Sequence, residues 1–396
     1  MKAAVQPIDS LVQAFCAVRA HSEALAAPLS AEDCSVQSMP DASPVKWHLA
    51  HTSWFFETVI LSKQPGYKPF DPRFAFLFNS YYEALGPRHP RPRRGLLTRP
   101  SLEEVYAYRA HVDAAMAQAC KNPEWENAIT LGLHHEQQHQ ELILTDIKHA
   151  FFSNPLLPAY HNRPAGPGQP QKLEWREHQG GVALIGHDPK NPNFAFDNES
   201  PRHQVLLRPF RIASRPVSNG EYQAFIADGG YRRPEFWLSD GWAKVQEEKW
   251  EAPLYWLAEG NKNEQVFTLS GVQPLDPHAA IEHVSFYEAA AYAAWAKARL
   301  PTEFEWEASA AQFDHGPQSS MGQVWEWTRS AYDPYPGFKP LEGAVSEYNG
   351  KFMVGQMVLR GGSSATPPDH IRPTYRNFFP PQARWQFSGI RLAEDA

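Results

Sequence analysis

Two histidine-rich segments contain the residues best suited to chemistry in this chain of 396 residues. His135 and His139 stand four residues apart in a segment that is predicted to be helical. Side chains with that spacing share one helix face, so the two imidazoles can bind the same ion. Imidazole suits zinc, iron, copper and nickel, and Glu141 could orient a ligand histidine through a hydrogen bond. The pair therefore predicts part of a metal site.

A third ligand is expected from another helix, because one helix face rarely surrounds an ion. The candidate is His51 in the segment Trp47-His-Leu-Ala-His51, and His48, one turn earlier, is the alternative. His134 is expected to be exposed or to support a ligand. Three neutral histidines would leave open positions on the ion, which suits zinc-activated water and iron(II) alike.

The histidines must be positioned by helices in the first 153 residues. Helical spacing and start signals predict four helices, including one that opens with the capping box Ser101-Leu-Glu-Glu104. They cover Ile8 to Ala27, Val45 to Ser62, Ser101 to about Cys120, and Pro123 to Phe152. Four helices with one long connection, 64–100, predict a helical bundle. A connection of that length, rich in Pro and aromatic residues, is expected to be functional.

The character of the chain changes after residues 154–172, a Pro- and Gly-rich linker. Residues 173–396 contain short strand-like runs at 181–185 and 204–208, one clear helix from Ser285 to Arg299, and frequent turn signals. The expected fold class is α+β with two domains: 1–153, a helical bundle, and 173–396, an irregular α+β domain.

Composition narrows the functional classes. The net charge is −7 and the richest basic stretch, 88–94, is short and broken by Pro, so nucleic-acid binding is not expected. No run approaches 18 apolar residues, and the start of the chain lacks a signal-peptide pattern. The three cysteines have no CxxC spacing, which suits a reducing compartment. These features predict a cytoplasmic enzyme, and they leave its oligomeric state open.

At the histidine motifs the chain resembles the iron-dependent sulfoxide synthases of ergothioneine biosynthesis, whose pattern includes HxxxHxE. The segment His135-Glu-Gln-Gln-His139-Gln-Glu141 matches that pattern, and Trp47-His-Leu-Ala-His51 matches the segment that supplies the third histidine. Further matches follow in the expected order: Phe78-Asn-Ser-Tyr-Tyr-Glu83, Pro216-Val-Ser-Asn-Gly-Glu-Tyr222, Arg299-Leu-Pro-Thr-Glu303, Val324-Trp-Glu-Trp-Thr328, Val358-Leu-Arg-Gly-Gly-Ser363, Tyr375-Arg-Asn-Phe-Phe379 and Gly389-Ile-Arg-Leu392. The related selenoneine synthases share this architecture.

The resemblance implies a fold and a reaction. It implies a DinB-like four-helix bundle followed by a formylglycine-generating-enzyme-like domain of the C-type-lectin kind. It also implies Fe(2+) bound by His51, His135 and His139. The substrates would be hercynine (Nα-trimethylhistidine), dioxygen and a thiol or selenosugar donor. The reaction would form a C–S or C–Se bond at C2 of the hercynine imidazole.

The same resemblance assigns further site residues. Gln138 and Asn377 would contact hercynine, and the aromatic residues near Asn377 would face its trimethylammonium group. These aromatic residues are Phe378, Phe379, Trp385 and Phe387. The planar guanidinium groups of Arg88, Arg91 and Arg94 match carboxylates, so they are candidates for the acid groups of the donor or of hercynine. A phenol of Tyr81 or Tyr82 would supply a proton or hydrogen atom during coupling.

Two other classes of function remain open at this stage. One is a zinc-dependent hydrolase or thiol transferase on a DinB-like bundle, and the other is a non-catalytic module whose lectin-like domain binds a ligand. Residues 173–396 contain no cysteine, so the copper–cysteine chemistry of formylglycine-generating enzymes is excluded. The donor could be cysteine, γ-glutamylcysteine or a selenosugar.

Overall fold

The computed structural model describes residues 8–163, 166, 168–259, 262–313 and 321–396. The chain divides into two compact units. The helical unit extends to His161 and adds Pro192–Phe194 and Pro340–Tyr348; the sheet unit comprises Asn162–Asn191, Ala195–Lys339 and Asn349–Ala396. The linker and domain limits expected from the sequence stay predictions, and residues 1–7, 164, 165 and 167 within them lie outside the described ranges.

In its described residues, the helical unit contains four long α-helices and one short α-helix. They are α1 (Ile8–Ala26), α2 (Val45–Val59), α3 (Phe74–Leu77), α4 (Leu102–Ala119) and α5 (Glu126–Ser153). The long helices are the four that the sequence predicts. The α4 capping box is present, because Ser101 accepts from the Glu104 amide while the Glu104 carboxylate accepts from the Ser101 amide. α2 is shorter than predicted because a 3-10 turn, Leu61–Lys63, follows Ile60.

Helix α2 forms the centre of the helical unit, since every residue except Thr58 is buried. A helix buried on all sides must satisfy its polar side chains internally. Glu57, for example, accepts hydrogen bonds from the hydroxyl groups of Tyr67 and Tyr108 at 2.6 and 2.7 Å. The histidines of α2 are subject to the same requirement.

A buried ionic network holds α5 to α1 and α4. Glu136 of α5 is fully buried and forms ion pairs with Arg19 at 2.9 Å and Arg109 at 3.1 Å. Ser22 donates a further hydrogen bond to it at 2.7 Å. Burial acts to raise the pKa of Glu136, but the two guanidinium groups outweigh it and hold the pKa below its usual value. The network fixes the rotation of α5 about its axis.

Gly132 permits the close approach of α5 to α2. A Cβ atom at this position would lie 2.4 Å from Phe56 Cε1 and 3.1 Å from Phe55 Cε1. Both rings are fully buried and have no room to move. The glycine therefore sets the spacing between the two helices that carry the histidines.

We expect Gly132→Ala to destabilise the protein. Alanine favours a helix over glycine by about 0.5–1 kcal/mol. Overpacking a core costs about 1–3 kcal/mol, and a contact of 2.4 Å belongs to the upper part of that range, about 2–3 kcal/mol. The net loss should therefore be about 1–2.5 kcal/mol. Urea unfolding followed by circular dichroism measures the change. Asn127→Ala, at an exposed position of α5, is the control and should cause no loss. Equal stability of Gly132→Ala and the wild type would contradict the packing argument.

The sheet unit combines small sheets with short helices. Its helices are α6 (Asn219–Ala227), α7 (Ser239–Glu248), α8 (Phe286–Trp295) and α9 (Glu303–Ser309). Its strands are β1 (Trp175–His178), β2 (Gly181–Ile185), β3 (His203–Leu207), β4 (Phe210–Ala213), β5 (Trp256–Glu259), β6 (Lys262–Thr268), β7 (Gly271–Pro274), β8 (Trp325–Ala331), β9 (Met357–Arg360), β10 (Asn377–Phe379), β11 (Ser388–Gly389) and β12 (Ala393–Asp395). This mixture confirms the predicted α+β class.

The strands form four sheets in the described part of this unit, with the orders β1-β4-β12, β10-β9-β8-β11, β2-β3 and β5-β6-β7. All pairs are antiparallel except β11 with β8. Trp306 packs in a core cluster with Phe210 and Ile212. Its indole donates to Glu326, which also forms a fully buried ion pair with Arg391. Among the described residues, none of the helices has the length and apolar character needed to span a bilayer.

Candidate metal centre

Three histidine side chains converge between α2 and α5. His51 comes from α2, while His135 and His139 come from α5, and one nitrogen of each lies within 4.8 Å of one nitrogen of each of the others. Their exposed fractions are 0%, 2% and 9%. Among the described residues this is the one group of histidine, cysteine or acidic side chains with such geometry. These are the three histidines that the sequence selected.

A backbone carbonyl fixes the proton on His51. Its Nδ1 lies 2.6 Å from the carbonyl oxygen of Phe78, which can only accept, so Nδ1 carries the hydrogen. The Nε2 atom then has a lone pair, and it faces Nε2 of His135 at 3.2 Å. His135 Nδ1 is buried, and no group among the described residues hydrogen-bonds to it.

His48 lies beside this group. Its Nδ1 is 2.8 Å from Nδ1 of His139, and its Nε2 is 2.9 Å from Oδ2 of Asp146. Asp146 is a carboxylate that the sequence analysis missed; Glu141 was proposed for such a contact. A signal was available, because Asp146 follows His139 by seven residues and so lies on the same face of α5.

The three clustered histidines are neutral. Burial lowers the pKa of all three, and it takes the pKa of His135 to about 3. Nearby histidines add to this for His51 and His139, because a second positive charge would be repelled. Neutral imidazoles whose ring nitrogens converge can bind a divalent ion, so the residues present fit a metal. Iron(II) and zinc are both compatible with such a donor set.

The segment His135-Glu136-Gln-Gln-His139 also has the HExxH spacing of zinc proteases, in which the glutamate is the general base. Here both carboxylate oxygens of Glu136 are engaged, Oε1 by Ser22 and Arg109 and Oε2 by Arg19. A carboxylate held in this way is not available to deprotonate a metal-bound water.

Aromatic rings enclose His51 on both faces. Trp47 stacks on it with ring centroids 4.6 Å apart, and Trp54 stacks on the other side at 5.3 Å. Tyr82 follows Trp54 at 5.7 Å and is fully buried. The rings restrict the orientation of His51 and keep water from it.

Tyr81 and Tyr82 lie next to each other in the connection 64–100. Their rings stack at 4.5 Å and their hydroxyl oxygens are 3.4 Å apart. Burial raises the pKa of Tyr82 well above its usual value, and the neighbouring Tyr81 adds to the shift. The Tyr82 phenol is therefore protonated at neutral pH and can act as a donor, not as a base.

Tyr348 is a residue of this site that the sequence analysis did not identify. Its hydroxyl donates to Gln138 Oε1 at 2.5 Å, and its ring lies 5.8 Å from that of His135. Its backbone carbonyl accepts from the Tyr81 hydroxyl at 3.4 Å. It belongs to the short segment Pro340–Tyr348 of the helical unit. No local pattern links it to histidines some 200 residues earlier.

The three arginines of the long connection differ in environment. Arg88 is exposed and pairs with Glu83 at 2.8 Å, while the exposed Arg91 donates to a backbone carbonyl. Arg94 is buried: it stacks 3.3 Å from the Trp47 ring centroid and donates to two serine hydroxyls. Burial lowers its pKa to about 8. Binding of substrate acid groups by these residues stays a prediction.

The remaining predicted substrate residues lie in the sheet unit. Asn377 begins β10, and its side-chain oxygen accepts from the amide of Phe378. The Phe378 ring stacks on Tyr332 at 4.0 Å. Phe379 and Trp385 contact each other edge to face at 6.2 Å, and the buried Phe387 contacts His283. The Phe378 ring also stacks with Phe352 at 5.9 Å. A shared role of these aromatic residues in substrate binding stays a prediction.

Comparison with known proteins identifies the class of both halves. Residues 14–143 match the DinB superfamily, and residues 177–321 and 313–396 match the sulfatase-modifying factor enzyme 1-like domain. The predicted DinB-like and formylglycine-generating-enzyme-like folds are thereby confirmed.

Relatives extend over nearly the whole chain. A hercynine oxygenase of Mycolicibacterium thermoresistibile is 33% identical over 90% of this chain and 88% of its own length. The hercynine oxygenase of Mycolicibacterium smegmatis is 32% identical over 91% of this chain and 92% of its own length. Ergothioneine biosynthesis protein 1 of Schizosaccharomyces pombe is 28% identical over 51% of this chain and 28% of its own length. The chain belongs to the hercynine oxygenase family.

The buried neutral histidines predict a pH-dependent stability. Their pKa values are lowered in the folded protein, so below pH about 6.5 the unfolded chain binds protons that the folded chain does not. For one such histidine this loss is about 1.4 kcal/mol per pH unit, or about 2 kcal/mol between pH 6.5 and 5. We expect the metal-free protein to lose stability as the pH falls from 7 to 5.

Urea unfolding of chelator-treated protein at both pH values measures the loss. His135→Gln cannot titrate and should show a loss smaller by about 2 kcal/mol. His21→Gln, at an exposed position of α1, is the control and should behave as the wild type. An unchanged pH dependence in His135→Gln would show that His135 is not held neutral.

Proposed function

We propose that this protein is an O2-dependent mononuclear non-heme iron enzyme that joins a sulfur or selenium donor to the imidazole C2 of hercynine. His51, His135 and His139 are the proposed ligands of Fe(2+). The proposal covers both branches that the sequence suggested: a thiol donor gives an ergothioneine-type sulfoxide, and a selenosugar gives the selenium analogue.

The observation that carries the proposal is the group of three neutral histidines. A set of neutral ligands leaves the 2+ charge of the ion uncompensated, and it leaves several coordination positions open. Such a centre attracts an anionic thiolate or selenolate strongly in a buried, weakly polar environment. The names of the relatives support hercynine as the other substrate. The engaged carboxylate of Glu136 disfavours the alternative, a zinc hydrolase.

Iron(II), when bound at these histidines, would supply the activation of dioxygen. The protein would supply orientation, which brings the imidazole C2 and the donor atom within bonding approach. Gln138 is proposed to contact the hercynine imidazole. Because Tyr348 donates to its Oε1, the amide of Gln138 is oriented with Nε2 as its remaining donor group.

Tyr82 is proposed to donate the proton or hydrogen atom that accompanies coupling. Its phenol stays protonated at neutral pH. The Trp54 ring lies between Tyr82 and the proposed ligand His51, with centroid distances of 5.7 and 5.3 Å. Tyr81, whose hydroxyl lies 3.4 Å from that of Tyr82, would exchange protons with it. Roles in substrate binding for Arg88, Arg91, Arg94, Asn377 and the aromatic residues near it remain part of this proposal.

The first test is anaerobic reconstitution with iron(II), followed by air, hercynine and each donor in turn. We expect one iron per chain and a covalent hercynine adduct by mass spectrometry. His139→Ala should lose both, because one of the three ligands is removed. His149→Gln, on the same helix and hydrogen-bonded to Ser38, is the matched control and should retain both.

The reactions with the different donors distinguish an ergothioneine-type enzyme from a selenoneine-type enzyme. An adduct with cysteine or γ-glutamylcysteine assigns the thiol branch, and an adduct with a selenosugar alone assigns the selenium branch. Bound iron without any adduct would refute hercynine as the substrate. Full iron occupancy in His139→Ala would refute the ligand assignment, and hydrolytic activity with zinc in the absence of oxygen would favour the alternative.

A second prediction concerns Tyr82. Tyr82→Phe removes the phenolic hydrogen but keeps the buried ring, so we expect the ratio of coupled product to oxidised donor to fall about 10-fold or more, in the range of a general-acid contribution. Product ratios are measured by mass spectrometry at equal iron loading. Tyr81→Phe is the paired variant. If Tyr82→Phe leaves the ratio unchanged and Tyr81→Phe lowers it, the role belongs to Tyr81.

A further inference from the structure

A continuous row of hydrogen bonds runs from the start of α2 to His139. The amide of Ser43 donates to Oδ2 of Asp146 at 2.8 Å, and the same oxygen lies 2.9 Å from Nε2 of His48. Nδ1 of His48 in turn lies 2.8 Å from Nδ1 of His139. Asp146, His48 and His139 are exposed by 5%, 2% and 9%, so water does not compete for these contacts.

The row determines where the protons are. An ionised carboxylate only accepts, so the hydrogen between Asp146 and His48 belongs to Nε2 of His48. In the tautomer with a single hydrogen, His48 then has a lone pair on Nδ1. Two Nδ1 atoms at 2.8 Å need one donor and one acceptor, so His139 must carry its hydrogen on Nδ1. Its lone pair is therefore on Nε2, the nitrogen that remains for a metal.

We propose that Asp146 and His48 are positioning residues that hold His139 in the tautomer and ring orientation needed to bind the metal through Nε2. The inference rests on the metal centre of the proposed function and adds residues that act through a ligand. Hydrogen-bond partners of ligand histidines commonly have this effect on metal sites.

The three proposed ligands are held in different ways. His51 is fixed by the backbone carbonyl of Phe78, which no substitution of a side chain removes. His135 finds no hydrogen-bond partner for Nδ1 in the described part of the chain and is held by packing, with the Phe55 ring at 4.6 Å. His139 alone depends on other side chains for its tautomer. Substituting His48 or Asp146 can therefore change how His139 is held while all three proposed ligands stay in place.

Helix geometry explains why His48 can reach its two partners. His48 precedes His51 by three residues, so both imidazoles leave the same face of α2 and meet α5. His139 and Asp146 are seven residues apart, which places them two turns apart on the facing side of α5. A leucine at position 48 could fill the same buried space, whereas a histidine there needs hydrogen-bond partners for both ring nitrogens.

The test is the binding of cobalt(II), without substrates, to chelator-treated protein under anaerobic conditions. The dissociation constant and the visible d–d absorption spectrum are recorded. His48→Leu should weaken binding by about 10- to 100-fold, the usual cost of losing such a partner, and should alter the spectrum. In His48→Asn the side-chain oxygen takes the place of Nδ1 and accepts from His139, so binding should return to within a few-fold of wild type.

Two further variants sharpen the result. Asp146→Ala should weaken binding in the wild-type background but have little effect in the His48→Asn background, because an amide oxygen accepts without needing a carboxylate to set its proton. His149→Gln, on α5 but bonded to Ser38, is the control and should bind as the wild type. The thermal unfolding midpoint of each metal-free variant shows that it is folded.

The outcomes separate this inference from the proposed function. No cobalt binding by the folded wild type would overturn the metal centre itself, and the inference with it. Wild-type binding together with equal affinity and an equal spectrum in folded His48→Leu would leave the metal centre standing and overturn the positioning role. A lower unfolding midpoint with unchanged binding would give His48 a purely structural role and would also overturn it.

Discussion

The burial of polar side chains between α2 and α5 is the constraint on which the helical unit depends. α2 has almost no exposed surface, so its histidines, its glutamate and its hydroxyl groups must all find partners inside the protein. Leaving a buried polar group unsatisfied costs about 1–3 kcal/mol, which is a large part of the net stability of a domain. The partners are therefore arranged with little freedom, and this rigidity is what a metal centre requires.

Two faces of α5 satisfy their buried polar side chains in different ways. On one face Glu136 is charged and balanced by two arginines, so the contact holds helices together and has no capacity left for chemistry. On the other face the histidines are kept neutral by burial and by one another. One ring nitrogen of each of the three clustered histidines lies within 4.8 Å of one nitrogen of each of the others, which is the spacing that a bound cation would need. α5 thus carries the charged Glu136 network on one face and the neutral histidine group on another.

The site also draws on a distant part of the chain. Tyr348 reaches the helical unit through a nine-residue segment, Pro340–Tyr348, and there it orients Gln138 and contacts Tyr81. The hydrogen bond places Oε1 of the Gln138 side chain toward the Tyr348 hydroxyl. Gln138 is next to His139, one of the proposed ligands, so the surroundings of the histidine group combine α5, the long connection and this segment.

The sequence by itself determined the features that depend on local geometry. Helical periodicity and capping residues located the four long helices, and the spacing of four residues placed His135 and His139 on one face. The ordered motif matches identified the two fold types. Each of these follows from neighbours within a few residues, because backbone hydrogen bonding and side-chain direction repeat along a helix.

The tertiary structure decided which residues meet across elements and in what state. It selected His51 over His48 for the cluster, gave His48 a contact with Asp146, and engaged Glu136 with arginines although its spacing fits a catalytic motif. It also buried Arg94 while leaving Arg88 and Arg91 exposed. Protonation and tautomer depend on burial and on long-range partners, and the pattern of one segment contains no information about either.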